Sequence, residues 1–150
     1  GATDYELRPL NGLQDGVSWP YTEIHAVGTQ RFPVTSTVYD GTTPVLPRFV
    51  PVDAAISGDN IVLPATADKK IRVLAAALTM TGTAVTITFK SGNTATEQPL
   101  TGAMGPSAGQ TIVLPFNPVG WFEASTSTLL NMELSGAQSV DGGLVYVLVD

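Results

Sequence analysis

Cysteine is absent from this chain, and histidine occurs once in 150 residues. The first absence excludes disulfide staples and thiolate metal sites. It leaves the redox compartment open. The second excludes a histidine-rich metal centre. Charge is scarce as well. Asp, Glu, Lys and Arg make up 13% of the chain, against about 25% in an average domain. No charged residue lies between Leu74 and Phe89, and none between Gln98 and Phe122. General acid–base work needs positioned titratable groups, so these stretches point to structure or binding rather than to an enzyme. No run approaches the roughly 20 apolar residues of a membrane-spanning helix. The opening residues, Gly1 to Glu6, have neither the basic nor the apolar region of a signal peptide.

What charge there is leans acidic, with a net of −6. Such a chain has no field for gripping phosphates, so no direct nucleic-acid contact is expected. The one basic cluster is Lys69, Lys70 and Arg72. It reads as a solvated strand start that discourages edge pairing; a phosphate or acidic-glycan contact is the alternative. The length fits one full domain, and the apolar fraction of 43% suffices for a core.

Two regions differ in character. Residues 1–52 carry Pro9, Pro20, Pro33, Pro44, Pro47 and Pro51 among isolated aromatics. Prolines at this spacing prevent long helices and remove sheet donors. Trp19-Pro20-Tyr21 is too apolar to float free in water. An extended Pro-rich N-terminal arm lying across a partner reconciles these features, since aromatics supply contact area at modest entropy cost. A segment wrapped on its own domain is the competing reading. Within this region Val34–Tyr39 predicts a short strand, Asp40-Gly41 a turn, and Pro44–Pro51 an extended edge element.

Residues 53–150 predict an all-β domain of seven or eight short antiparallel strands. Asn60–Leu63 opens it. Ile71–Met80 follows, and its β-branched neighbours and Thr-Gly turn favour a strand over an alanine-rich helix. Ala84–Lys90 has the clearest period of two, with Val85, Ile87 and Phe89 inward. Ser91-Gly92-Asn93 is a turn, and Ala95–Leu100 can pair back. Gly102–Gly109 is a loop, Gln110–Leu114 a strand, and Leu129–Ser135 a strand with Leu130, Met132 and Leu134 inward. Asp141-Gly142-Gly143 reads as a turn before the final strand, Gly143–Val149. Spacings of this kind suit an antiparallel β-sandwich, with a jelly roll first and an immunoglobulin-like order second.

The final strand is apolar on both faces: Leu144, Tyr146 and Leu148 on one, Val145, Val147 and Val149 on the other. Ile71 to Leu78 behaves in the same way. If the two pair, a second sheet covers one side. Either a neighbouring subunit or residues 1–52 must cover the other.

Sites for chemistry are weak. His25 has no setting as a base, and Ser107 and Ser125 lack a nucleophile elbow. Glu123 and Glu133 are the only carboxylates worth weighing as a pair. Glu133 takes the outward phase of its strand, and Glu123 falls in a loop. Asp53, Asp59 and Asn60 lack calcium-loop spacing. No catalytic residue, metal or cofactor is therefore expected. Trp19, Tyr21, Trp121 and Tyr146 are the rings a sugar could stack on. Phe116, Trp121 and Phe122 read instead as a plug at the end of the domain or at a subunit seam.

The series Lys70–Leu78, Val85–Gly92, Ile112–Phe122, Leu130–Gly136 and Gly143–Val149 resembles structural proteins of tailed-bacteriophage virions, of the β-sandwich head-decoration (cement) type. The resemblance covers roughly residues 60–150. It implies a virion location on the capsid surface, attachment to the major capsid protein, and self-association as a homotrimer. It implies no catalytic residues. On this reading Trp19, Tyr21, Phe32, Phe49, Trp121 and Tyr146 are the expected interface anchors. Removing residues 1–50 should leave a soluble domain that no longer attaches. A tail or fibre part, and a carbohydrate-binding module recognising a surface glycan, are the alternatives.

Overall fold

The computed structural model describes residues 37–150, which belong to a compact unit running from Ser36 to Asp150. The unit is all-β. Among the described residues there is no helix.

Eleven strands follow in chain order. They are β1 (Val38–Asp40), β2 (Thr43–Val45), β3 (Arg48–Ala54), β4 (Gly58–Leu63), β5 (Lys70–Met80) and β6 (Ile87–Ser91). Then come β7 (Gln98–Pro99), β8 (Thr111–Leu114), β9 (Phe122–Glu123), β10 (Leu130–Leu134) and β11 (Val140–Val149). All pairings are antiparallel. One sheet has the order β4-β10-β6-β7. A second has β3-β11-β5-β8, with β9 also on β5, and β1-β2 form a separate hairpin.

The pairings are nested. β6 pairs β7, β5 pairs β8, β4 pairs β10 and β3 pairs β11. The chain from Arg48 onward is thus one long two-stranded ribbon, folded so that its strand couples alternate between two sheets. The β10–β6 and β11–β5 pairings close the ribbon on itself.

Alternation in the sequence positions the core. Val85, Ile87 and Phe89 are buried, as are Leu130, Met132 and Leu134. They join Ile71, Val73, Ala76, Leu78 and Met80 of β5, and Val140 and Leu144 of β11, in one cluster drawn from both sheets. Ile71–Met80 is a strand, as its β-branched neighbours predict. Asn131 is fully buried against expectation. Its Oδ1 accepts from Asn60 N at 2.9 Å and its Nδ2 donates to Asp59 Oδ1 at 2.7 Å. A buried amide is tolerated because both of its ends are matched. These bonds tie Asp59 and Asn60 into the sheet; among the described residues no His/Cys/Asp/Glu group could hold a metal ion.

Three local readings change. Asp141-Gly142-Gly143 is not a turn but part of β11, which begins at Val140. Gly142 has φ +151°, and a Cβ there would lie 1.9 Å from the Ala77 carbonyl oxygen. Glycine serves here for close approach of two backbones rather than for chain reversal. Glu123 lies in β9 rather than in a loop, opposite Arg72 of β5. Finally, β3 runs through positions 52 and 53, paired with β11 from Arg48 to Ala54. Residues 38–54 therefore belong with the sheets that follow them.

The final strand does pair with β5. One side of that pair faces the shared core. On the other, Leu74, Val147 and Val149 form a second buried cluster with Val38 of β1, and Val45 of β2 packs against it. The cover comes from the β1–β2 hairpin of the same chain. A β-bulge makes this arrangement fit: Val145 faces Ala75 and Tyr146 faces Val73, leaving Leu74 as the extra residue.

Candidate interaction surface

The hairpin covers only part of the outer face of the β3-β11-β5-β8 sheet. Register places the remainder in cross-strand rows. Phe49, Val145 and Ala75 form one row. Pro51, Gly143, Ala77 and Val113 form the next. Asp53, Asp141, Thr79 and Thr111 close the face with polar groups. Residues directly opposite on an antiparallel pair share a face, so the first two rows make a continuous apolar strip.

A shallow groove of about 300 Å³ runs over this strip, lined by Phe49, Ala75, Ala77, Pro115, Phe116 and Val145 among others. Its small floor residues and its two aromatic walls explain the shape. Phe49 is 67% exposed and Phe116 46%. Val113, at 61%, adds to the same side. The Phe49 ring lies over Gly143, where a Cβ would come within 2.4 Å of it. Glycine at this position lets the ring lie flat on the sheet, as aromatic cover of a strand glycine does elsewhere. One end of the strip carries Asp53 opposite Asp141, two like charges in register. Such a pair is unfavourable within the sheet and gives that end of the face a negative rim.

Polar fastenings hold the hairpin beside the groove. Arg72 Nε donates to Glu123 Oε2 at 2.5 Å, and its Nη1 donates to the Tyr39 carbonyl at 3.0 Å. Lys69 pairs with the Asp150 carboxylate, and Asp150 N donates to Asp40 Oδ2 at 2.7 Å. The Lys69 contact holds the Asp150 carboxyl below its ordinary value and the Lys69 ammonium above its own. Two members of the basic cluster, Lys69 and Arg72, are thus engaged in fastening the fold. On the other sheet, Lys90 bridges Glu97 and Glu133, both at 2.7 Å. Those hydrogen bonds, Glu133 first, raise the Lys90 pKa. Glu123 and Glu133 therefore sit on different sheets, Glu123 paired with Arg72 and Glu133 sharing Lys90 with Glu97.

Of the six anchor residues expected from sequence, Trp19, Tyr21 and Phe32 lie outside the described residues, as does His25. Phe49 stands on the outer face. Trp121 is 45% exposed, and its Nε1 donates to the Pro115 carbonyl at 2.8 Å. That bond sets it beside the Phe116 wall. Tyr146 is half-buried and packs on the inner core, away from Phe49. The aromatic trio around Trp121 divides: Phe122 stacks at 5.1 Å on buried Phe89, while Phe116 and Trp121 stay outside. The sequence marks Phe116 beside Trp121 as a plug or seam residue, but Val113 and the alanine floor were not legible as interface residues, because only register brings them to one strip.

Neither a family model, a curated protein nor a solved structure matches this chain.

Proposed function

We propose that the chain is a virion structural protein of the head-decoration type. It binds the capsid lattice and adds buried area across seams between capsid subunits, so that more work is needed to part them under internal pressure. The observation that carries this reading is the apolar strip around Phe49, Val113 and Phe116. A contiguous exposed apolar face on a charge-poor domain is the usual mark of a contact surface.

The nested pairing favours a jelly-roll β-sandwich, with β3-β11-β5-β8 as one layer and β4-β10-β6-β7 as the other. This architecture recurs in viral capsid and lectin domains. Fold alone does not assign function, so the weight rests on the strip. The partners in this reading are the major capsid protein and two further copies of the chain, as a homotrimer. Residues 1–36, with Trp19, Tyr21 and Phe32, act as an extended arm that adds reach, and several arms per oligomer add avidity.

The experiment is electron cryomicroscopy of particles decorated with the full chain and with a chain starting at residue 37. A cut at residue 50 would also remove the hairpin and part of β3, so residue 37 is the informative boundary. Density at three-fold positions for the full chain, lost on truncation, is the expected result. Density confined to the tail would move the assignment to a tail or fibre part. Full decoration by the truncated chain would remove the arm from the mechanism.

A further inference from the structure

We propose that a second site, unrelated to the apolar strip, takes a neutral, hydroxyl-rich ligand of the size of one sugar residue. Three connections converge to form it: the β4–β5 loop at Ala65, the β6–β7 turn, and the stretch between β9 and β10. They border a half-open cavity of about 470 Å³, within the range of small-ligand pockets. The cavity shares no lining residue with the groove on the outer face.

Its wall chemistry selects the class of ligand. The polar lining is made of Ser, Thr, Asn and Gln, with Glu97 as the one charged residue. The Glu97 carboxylate accepts from Lys90 Nζ at 2.7 Å, an ammonium it shares with Glu133, so it is engaged within the sheet and its charge is only partly compensated. A site for phosphate would need a free cation or a cradle of amides. A site for a hard cation would need several free oxygens of high charge. Among the described residues no Lys or Arg lines the cavity, and its one carboxylate is engaged by Lys90. What the cavity offers is uncharged donors and acceptors, which match hydroxyl groups.

The second observation concerns unused hydrogen-bonding capacity. Ser91 lines the cavity and is 2% exposed. Its Oγ accepts from Ser125 N at 2.8 Å, and among the described residues nothing accepts its proton. A hydroxyl has one donor to place, and a buried polar group is normally matched. Ser127 Oγ, at an exposed position on the same wall, likewise accepts from Asp68 N at 2.8 Å and has no acceptor among the described residues. The Asn93 side chain has no partner among the described residues, so both ends of its amide are open. Thr128 Oγ1 donates to the Thr126 carbonyl at 3.1 Å and keeps its acceptor capacity. Two free hydroxyl protons, an open amide and a free acceptor on one small wall are complementary to vicinal hydroxyls. Leu129 and Ala65 supply apolar surface for ring C–H groups. No aromatic lines the cavity, so binding should be weak, with Kd of about 1 mM or above.

The test is a titration of the full chain, ¹⁵N-labelled, with methyl glycosides of glucose, galactose, mannose and N-acetylglucosamine, and separately with inorganic phosphate and calcium. The expected result is a saturable shift with at least one glycoside, confined to the Asn93 and Gln98 side-chain amides and to the backbone of Gly92 and Ser125–Thr128. Asn93→Ala, a partly exposed change that should spare the fold, should weaken it at least about fivefold. Ser91→Ala should do the same if it folds. No saturable shift with any glycoside overturns the proposal. So does a response to phosphate or calcium alone, or binding that Asn93→Ala leaves unchanged. Capsid decoration is read independently, so failure of either idea is visible without the other.

Discussion

Replacing Phe49 by alanine separates the work of the outer face from the work of the core. Phe49 is 67% exposed, so about a third of its surface is covered. An aromatic side chain buries about 150–250 Å² when fully enclosed; a third of that is about 50–80 Å². At about 25 cal/mol per Å² the loss is about 1–2 kcal/mol, an upper figure because the unfolded chain is partly compact. Phe89, by contrast, is 0% exposed, and Phe89→Ala should cost about 3–5 kcal/mol. Urea unfolding with matched slopes gives both numbers. The binding effect should run the other way. If Phe49 anchors a contact, its removal should weaken capsid attachment by about 30-fold or more, equivalent to about 2 kcal/mol. A loss of 3 kcal/mol or more in the isolated Phe49→Ala domain would mean that the face is core. Unchanged attachment by a stably folded Phe49→Ala chain would refute the strip as an interface.

Gly142→Ala should destabilise by more than about 2 kcal/mol, because its Cβ would meet the Ala77 carbonyl oxygen at 1.9 Å and its φ is +151°; thermal unfolding checks this. Arg72→Ala removes the Glu123 pair and the bond to the Tyr39 carbonyl. A cost of about 1–2 kcal/mol is expected, after allowance for the partial exposure of Glu123, with faster hydrogen exchange at hairpin amides than elsewhere in the sheets. Unchanged exchange there would show that Val38, Val45 and the Asp40–Asp150 bond hold the hairpin without Arg72. The Lys69–Asp150 contact predicts a pH window. Asp150 titrates below its ordinary 3.8, so its contribution is complete above that value and fades as pH falls through the lowered one. Lys69 titrates above 10.5, so its contribution is complete below that value and fades as pH rises through the raised one. Protection of the Asp150 amide, its exchange rate taken relative to that of an unstructured amide at the same pH, should therefore fall toward both extremes, and with salt at neutral pH; protection that stays flat would count against the contact.

Much of the fold was legible because the signal was periodicity of two. Ala84–Lys90 and Leu130–Ser135 alternate, and their inward sets are buried, with Asn131 the outward residue that is buried as well. The double-faced pattern of β5 and β11 is matched by cover on both sides at Leu74, Val147 and Val149, and only there on the outer face. What covers the second face was less legible, since Val38 and Val45 are ordinary residues in a proline-rich stretch and only their docking on Leu74 marks them. The Asp141-Gly142-Gly143 error has the same origin. Glycine used for close backbone approach looks identical to glycine used for a turn until the neighbouring strand is in place. The strip itself needed register, because Phe49, Val145, Ala77 and Val113 come from four strands. Tyr146 misled because an aromatic in an apolar strand carries no label for the face it takes.

The extra residue in β5 has an implication for how such a chain can change length. Ile71 and Val73 point inward before Leu74, and Ala76, Leu78 and Met80 point inward after Ala75. Deleting Leu74 would restore plain alternation without sending any of those five side chains to the wrong face. An ordinary one-residue deletion in a strand inverts everything beyond it; here it would leave the interior sequence in frame. The domain thus contains a position where a codon can be lost while the interior is spared and the hairpin is released. Leu74 is thus a fitting for the outer layer, and its deletion should alter that layer in this chain without redesigning what lies beneath it.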